Sequence, residues 1–183
     1  MKIQFFGENC FGLTSKEVKI VLDPNNGCTL KTADFVTNSG KFETEAKKIS
    51  AKKVLSLGGE FEISGVLVRG FASEPGNIVY KIVVEGITCA HFGTLTQIPT
   101  PEFFAKIGEN IDVAILNLSE KFGVKEVKEI IETVEPRWTI IGGSQTLFPK
   151  MIGEGAKLMQ ENNLSLSTAG LSEEKTEILI LSV

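Results

Sequence analysis

Residues 100–143 read TPEFFAKIGENIDVAILNLSEKFGVKEVKEIIETVEPRWTIIGG, and the changes of period along them decide the fold class. Thr100 stands as an N-cap with Pro101 at the first helical position, so a helix is predicted to open there and run to Ile107. Val113–Leu116 is apolar on both faces, as a strand covered on both sides must be. Val124, Val127, Ile130, Ile131 and Val134 then share one helical face, with Lys125, Glu126, Lys128, Glu129 and Glu132 opposite. Trp138–Ile141 returns to strand and stops at Gly142-Gly143. Strand–helix alternation of this kind builds a sheet with helices on its outer face.

Upstream, paired strands dominate. Lys2–Phe6 and Phe11–Thr14 flank the turn Gly7-Glu8-Asn9, and Val18–Leu22 stops at Asp23-Pro24-Asn25-Asn26-Gly27. Phe35–Thr37 is a short strand, Glu43–Ile49 has helical composition, and Val54–Leu57 resumes strand. Glu62–Ser64 with Val66–Phe71, and Ile78–Val84 with Ile87–His91, make two further hairpins. Downstream of Gly143, a helix over Phe148–Glu161 and a closing strand over Glu177–Val183 are predicted. The whole reads as one α/β (α+β) domain over 1–183: two packed sheets with helices outside, a four-layer αββα sandwich.

Composition narrows the function classes. The chain has 183 residues, 42% hydrophobic and 23% charged, which is ordinary for a globular domain able to bury its own core. A net charge of −4, with Lys47-Lys48 and Lys52-Lys53 interleaved by apolar residues, argues against nucleic acid or an anionic membrane as partner. No apolar run approaches the roughly 20 residues of a membrane span, and MKIQFFGENC lacks the apolar core of a signal peptide. Cys10, Cys28 and Cys89 are odd in number, far apart in sequence and without a Cys-x-x-Cys pair, so a reducing cytoplasm is expected. His91 is the single histidine.

Seven stretches resemble, in order, the small metallo-β-lactamase-fold hydrolases of the short, lactonase-like branch. Gly7-Glu8-Asn9-Cys10-Phe11 is similar to their Gly-His-Ser-Cys-Phe turn, Val18–Pro24 to the strand ending in Asp-Pro, and Ala33-Asp34-Phe35-Val36 to the Ala-Asp-x-Val before the metal motif. Gly59-Glu60-Phe61-Glu62-Ile63 resembles Gly-Glu-Tyr-Glu-Val, and His91-Phe92-Gly93-Thr94-Leu95 resembles His-Leu-Gly-Asp-Leu. Asp112-Val113 and Glu135-Pro136-Arg137 complete the series, the last leading into the family's final Ile-Pro-Met-His.

The resemblance implies a zinc site whose bound water attacks as hydroxide, yet its ligands are missing here. The four positions of the family's His-x-His-x-Asp-His fall on Gly40, Phe42, Thr44 and Glu45, the bridging aspartate on Thr94, and the last histidine on Gly143. Glycine and phenylalanine offer a metal nothing, so no metal cofactor is expected. Phe42 is expected to fill part of the cleft; an open remainder would take a small ligand or peptide, a filled one would leave a scaffold.

Other polar residues carry two readings each. Asp23 is a turn-former that caps backbone N–H groups, or a site carboxylate. Glu60 and Glu62 alternate onto one face, either as solvated residues or as an acid/base pair. Cys89 and His91 share a strand face at roughly 6.5–7 Å, too far for a nucleophile–base pair on a straight strand, so His91 reads as structural. Gly142-Gly143-Ser144 could cradle an anion ahead of a helix. Of Phe5-Phe6 and Phe103-Phe104, one of each pair is expected outward, suggesting self-association. The leading expectation is a non-catalytic binding or assembly module with a homo-oligomeric, protein or small-ligand partner. The alternative is a hydrolase of ester, lactone or phosphodiester bonds built from Asp23, Glu43, Glu45, Glu60 and His91.

Overall fold

The computed structural model describes residues 1–40, 43–170 and 176–182. In the first sheet β1 (Lys2–Phe5), β2 (Phe11–Thr14), β3 (Lys19–Leu22), β4 (Thr32–Thr37) and β5 (Ser50–Leu55) lie side by side in chain order, and β13 (Asn163–Ser165) extends the β1 edge. β1, β2 and β3 are antiparallel; β3, β4 and β5 are parallel, with the single turn α1 (Glu43–Ala46) in the last crossover. The second sheet begins as the antiparallel meander β6 (Gly59–Ile63), β7 (Val66–Glu74), β8 (Asn77–Val84) and β9 (Ile87–His91). It continues in parallel through β10 (Val113–Leu118), β11 (Trp138–Gly143) and β14 (Glu177–Ile180) to β12 (Lys157–Leu158) at its edge.

The crossovers into β10 and β11 carry α2 (Pro101–Ile107) and α3 (Val124–Val134). Local chemistry sets both starts: Thr100 Oγ1 accepts the Phe103 N–H, and Glu126 reaches back to accept the Gly123 N–H at 3.0 Å. The α3 face predicted to be apolar is the buried one, at Val127, Ile130 and Ile131. β10 shows why its sequence does not alternate. Val113 and Ile115 face the other sheet, while Ala114, Leu116 and Leu118 face the helices. A third cluster under the first sheet holds Phe6, Cys10, Val21, Cys28, Val36, Ala46 and Ile49. The order helix, sheet, sheet, helix is therefore the one expected, with a thin outer layer at α1.

Three local expectations are corrected. The helix over Phe148–Glu161 ends at Gly153 as α4 (Phe148–Gly153), because Gly155 takes a positive φ of 102° and the chain turns back to pair Lys157 with Leu179. The helical segment over Glu43–Ile49 closes after one turn, and β5 begins at Ser50 because it pairs with Thr32. Phe5, Phe6 and Phe103 are buried and Phe104 is half-buried, so neither aromatic pair forms the outward surface expected of it.

Candidate functional site

The loops that leave β3, β4, β9, β10 and β11 converge at one end of the sandwich, joined by the β7–β8 turn and the β1–β2 turn. Carboxyl ends of parallel strands are where α/β sheets present ligand-binding loops. Here those loops are stitched to one another. Asp23 leaves β3 with φ 43° and lies fully buried, one carboxylate oxygen accepting the Ser39 N–H at 2.6 Å and the other the Ser39 hydroxyl. It caps a backbone N–H, but on the neighbouring strand's loop rather than in its own turn.

Asn77 ties three more segments together. Its amide donates to the Ser73 hydroxyl at 2.9 Å and the Phe92 carbonyl at 3.0 Å, and its carbonyl accepts the Thr94 N–H at 2.8 Å. The Ile78 N–H donates to the Ser39 carbonyl at 3.0 Å, which joins this group to Asp23. Asn117, at the end of β10, donates to the Gly93 carbonyl at 2.9 Å and approaches His91 Nε2 at 3.4 Å. With Nε2 as acceptor the imidazole proton sits on Nδ1, which has no partner. Asn117 Oδ1 and Thr94 Oγ1 are also buried without a partner.

Glycines let the loops approach this closely. A Cβ at Gly40 would overlap the Gly76 carbonyl oxygen, and one at Gly143, whose φ is 87°, would overlap the Leu118 backbone. A Cβ at Gly93 would press on Asn77 and Ser39. The Gly143 N–H donates to the Glu8 carbonyl at 2.6 Å and the Ser144 N–H to the Leu118 carbonyl at 2.8 Å. With both N–H groups used in this way, Gly143 and Ser144 have none left to offer an anion.

Burial decides the titration of the groups gathered here. Desolvation raises the Asp23 carboxyl to about 7, although the two hydrogen bonds from Ser39 pull it down. Desolvation lowers His91 to about 3, so its ring is neutral at physiological pH. Cys89, on the same strand face, is pushed up to about 12 by burial. A neutral imidazole beside an un-ionised thiol is not an activated nucleophile. His91 instead packs edge-on against Phe11, the ring centroids 6.2 Å apart.

The other candidates are scattered. Glu60 and Glu62 are both exposed on β6, as solvated residues would be, and Glu60 pairs with Arg69 at 2.6 Å. Glu45 pairs with Lys48 at 3.5 Å on the surface by α1, and Thr44 is exposed one residue before it. Phe42, expected to fill the cleft, lies outside the described residues. Among the described residues no three His, Cys, Asp or Glu side chains come together as metal ligands would. A pocket of about 340 Å³ flanks the closed rim, lined by Asn9, Thr94, Thr96, Asn117, Ser119 and Lys121 among others.

Ser39, Asn77 and Asn117 were not singled out by sequence. Only Asn117 left a signal, one amide inside the apolar run VAILNL. Asn77 follows Pro75-Gly76 and reads as a turn residue.

Two facing mixed sheets with flanking helices and a site at their strand ends define a protein of the metallo-β-lactamase fold. A family profile described as a beta-lactamase superfamily domain matches residues 2–141, and the chain belongs to that superfamily. It is 27% identical to a Thermotoga maritima protein assigned to the Zn-dependent hydrolases of the metallo-beta-lactamase superfamily, with a TM-score of 0.84 over 99% of both chains. A metal-dependent hydrolase assignment from Parabacteroides distasonis shares the fold at a TM-score of 0.70 and 14% identity, over 98% of this chain and 91% of that one. A UPF0173 metal-dependent hydrolase of Pyrococcus furiosus is 31% identical over 91 residues, 44% of this chain. That match spans only 40% of the relative's own length. No helix among the described residues is long and apolar enough to cross a membrane.

Proposed function

We propose that this chain is a metallo-β-lactamase-fold protein that has given up its zinc chemistry and serves in the cytoplasm as a binding or assembly module. The observation that carries the reading is backbone closure. Two positions that resemble zinc-ligand positions of the family, Gly40 and Gly143, sit where even a methyl group would strike a neighbouring backbone. An imidazole needs far more room than that, and a zinc site needs three or four such ligands. Thr94, at the bridging-aspartate position, offers a hydroxyl, a poor ligand for a dication. Zinc therefore does not suit the residues present.

What the fold retains is a rigid end of the sandwich with one flanking pocket. Thr96 and Ser119 bring hydroxyls to its lining together with Asn9 and Lys121, a set that suits a small polar or anionic ligand. The competing reading, an ester, lactone or phosphodiester hydrolase, rests on the kinship with metal-dependent hydrolases. Metal content separates the two. Protein purified, saturated with zinc, iron or manganese and then dialysed is expected to retain far less than one ion per chain. Retention of about one ion per chain, with ester turnover abolished by chelator, would overturn the reading.

A further inference from the structure

The fold brings together two cysteines that lie 18 positions apart in sequence. Cys10 closes the β1–β2 turn, where its N–H donates to the Gly7 carbonyl at 3.0 Å and its carbonyl accepts the Phe6 N–H at 2.9 Å. Cys28 closes the loop after β3, its N–H on the Asn25 carbonyl at 3.2 Å. The two loops are clasped: the Asn25 amide donates to the Gly7 carbonyl at 2.7 Å, and a Cβ at Gly27 would meet the Phe6 carbonyl oxygen at 2.6 Å. Both side chains enter the same apolar cluster with Phe6, Val21, Val36, Ala46 and Ile49, and the Cys28 thiol donates to the Leu30 carbonyl at 3.9 Å.

We propose that Cys10 and Cys28 are a redox-active dithiol that closes to an intramolecular disulfide on exposure to peroxide and reopens with a dithiol reductant. The two sulfurs are unequal in the way such chemistry needs. Cys10 is fully buried, and the neighbouring Cys28 thiol and burial drive its own thiol well above the ordinary range. Cys28 keeps a 9% exposed edge, and the neighbouring Cys10 lowers it to about 7, aided by a backbone hydrogen bond at Leu30 and by Lys31. Cys28 is thus the attacking thiolate and Cys10 the resolving thiol. A surface pocket of about 370 Å³ lies beside the Cys28 loop, lined by Gly27, Asn25, Phe6 and Gly7 among others. The proposal stands apart from the reading of the closed cleft and survives its failure.

The step balances. The Cys28 thiolate attacks one peroxide oxygen, an S–O bond forms, the O–O bond breaks, and hydroxide leaves. The Cys10 sulfur then attacks the Cys28 sulfur of the sulfenic acid, the S–S bond forms, and the S–O bond breaks. The departing hydroxide takes the Cys10 proton as water. Overall, two thiols and one hydrogen peroxide give a disulfide and two waters, each sulfur losing one electron and each peroxide oxygen gaining one. In a reducing compartment such a bond is transient, a sensor rather than a staple.

The test is a thiol titration in denaturant after brief exposure of the folded protein to hydrogen peroxide. The untreated chain has three free thiols. The treated chain should show only Cys89, with a monomer mass lower by two hydrogens and a peptide joining Cys10 to Cys28. Cys10→Ser should strand the sulfenic acid on Cys28, where dimedone labels it; Cys28→Ser should block both products; Cys89→Ser should leave the crosslink intact. Three thiols still titratable in peroxide-treated wild-type protein, or a crosslink to Cys89 or between chains, would overturn the proposal. The wild-type titration decides the matter even if a variant folds poorly.

Discussion

Replacing Asp23 with asparagine should turn a nearly flat pH profile of stability into a steep one. Asp23 titrates at about 7 in the folded chain against an ordinary 3.8. A carboxyl raised in this way favours the fold when protonated, so its contribution is complete below about pH 4 and is lost as pH rises through 7. His91 acts in the opposite sense. With its folded pKa at about 3 against 6.5, its contribution is complete above about pH 6.5 and is lost as pH falls toward 3. Between about pH 4 and 6.5 each group contributes a slope of about 1.4 kcal/mol per pH unit, with opposite signs, and the two cancel. Asp23→Asn removes one of them. The variant should then lose about 3 kcal/mol of unfolding free energy on acidification from pH 6.5 to 4, while the parent changes little from these two groups. Urea unfolding followed by the fluorescence of Trp138, the single tryptophan, measures both curves. His91→Gln should give the mirror image, falling in stability as pH rises from 4 to 7. An Asp23→Asn profile as flat as the parent's would refute the assignment of Asp23 as a buried acid that is protonated across that range.

Further outcomes follow from the packing. Gly143→Ala, which sets a methyl group against the Leu118 backbone at a positive φ, should cost about 3 kcal/mol or more; calorimetry should show Tm falling by roughly 6–12 °C. Gly153→Ala, with open space around the added carbon, should stay within about 2–4 °C of the parent in the same scan. Asn77→Ala leaves the Thr94 N–H and the Phe92 carbonyl without their partner and should cost about 2–3 kcal/mol by urea midpoint, with faster amide exchange at Thr94. Glu60→Gln removes one half of an exposed ion pair and should change stability by less than about 1 kcal/mol, with no effect on ligand binding or ester turnover.

Much of the architecture was legible because it rests on local pattern. The capped start at Thr100, the amphipathic face from Val124 to Val134 and the unbroken apolar run of β10 each name an element from residues adjacent in sequence. The miss at Phe148–Glu161 has the opposite origin. The pairing of Lys157–Leu158 with β14 and of Asn163–Ser165 with β1 links residues 22 and 159–163 positions apart, which no local period reports. The expectation at Phe5-Phe6 failed for a related reason. Adjacent strand residues point to opposite faces, and at β1 both faces are covered, by the inter-sheet core on one side and the Cys10–Ile49 cluster on the other.

By itself the sequence determined the fold family and the scarcity of histidine, because periodicity is local and a single histidine is simply a count. Tertiary structure alone decided how the strand-end loops meet. It showed the cleft region drawn together by Gly40 against Gly76 and Gly143 against Leu118. It also set Asp23 on Ser39 and Cys10 beside Cys28. The physical reason is common to all of these contacts: each depends on where two separate strands end, a quantity fixed by sheet register and not written in either segment.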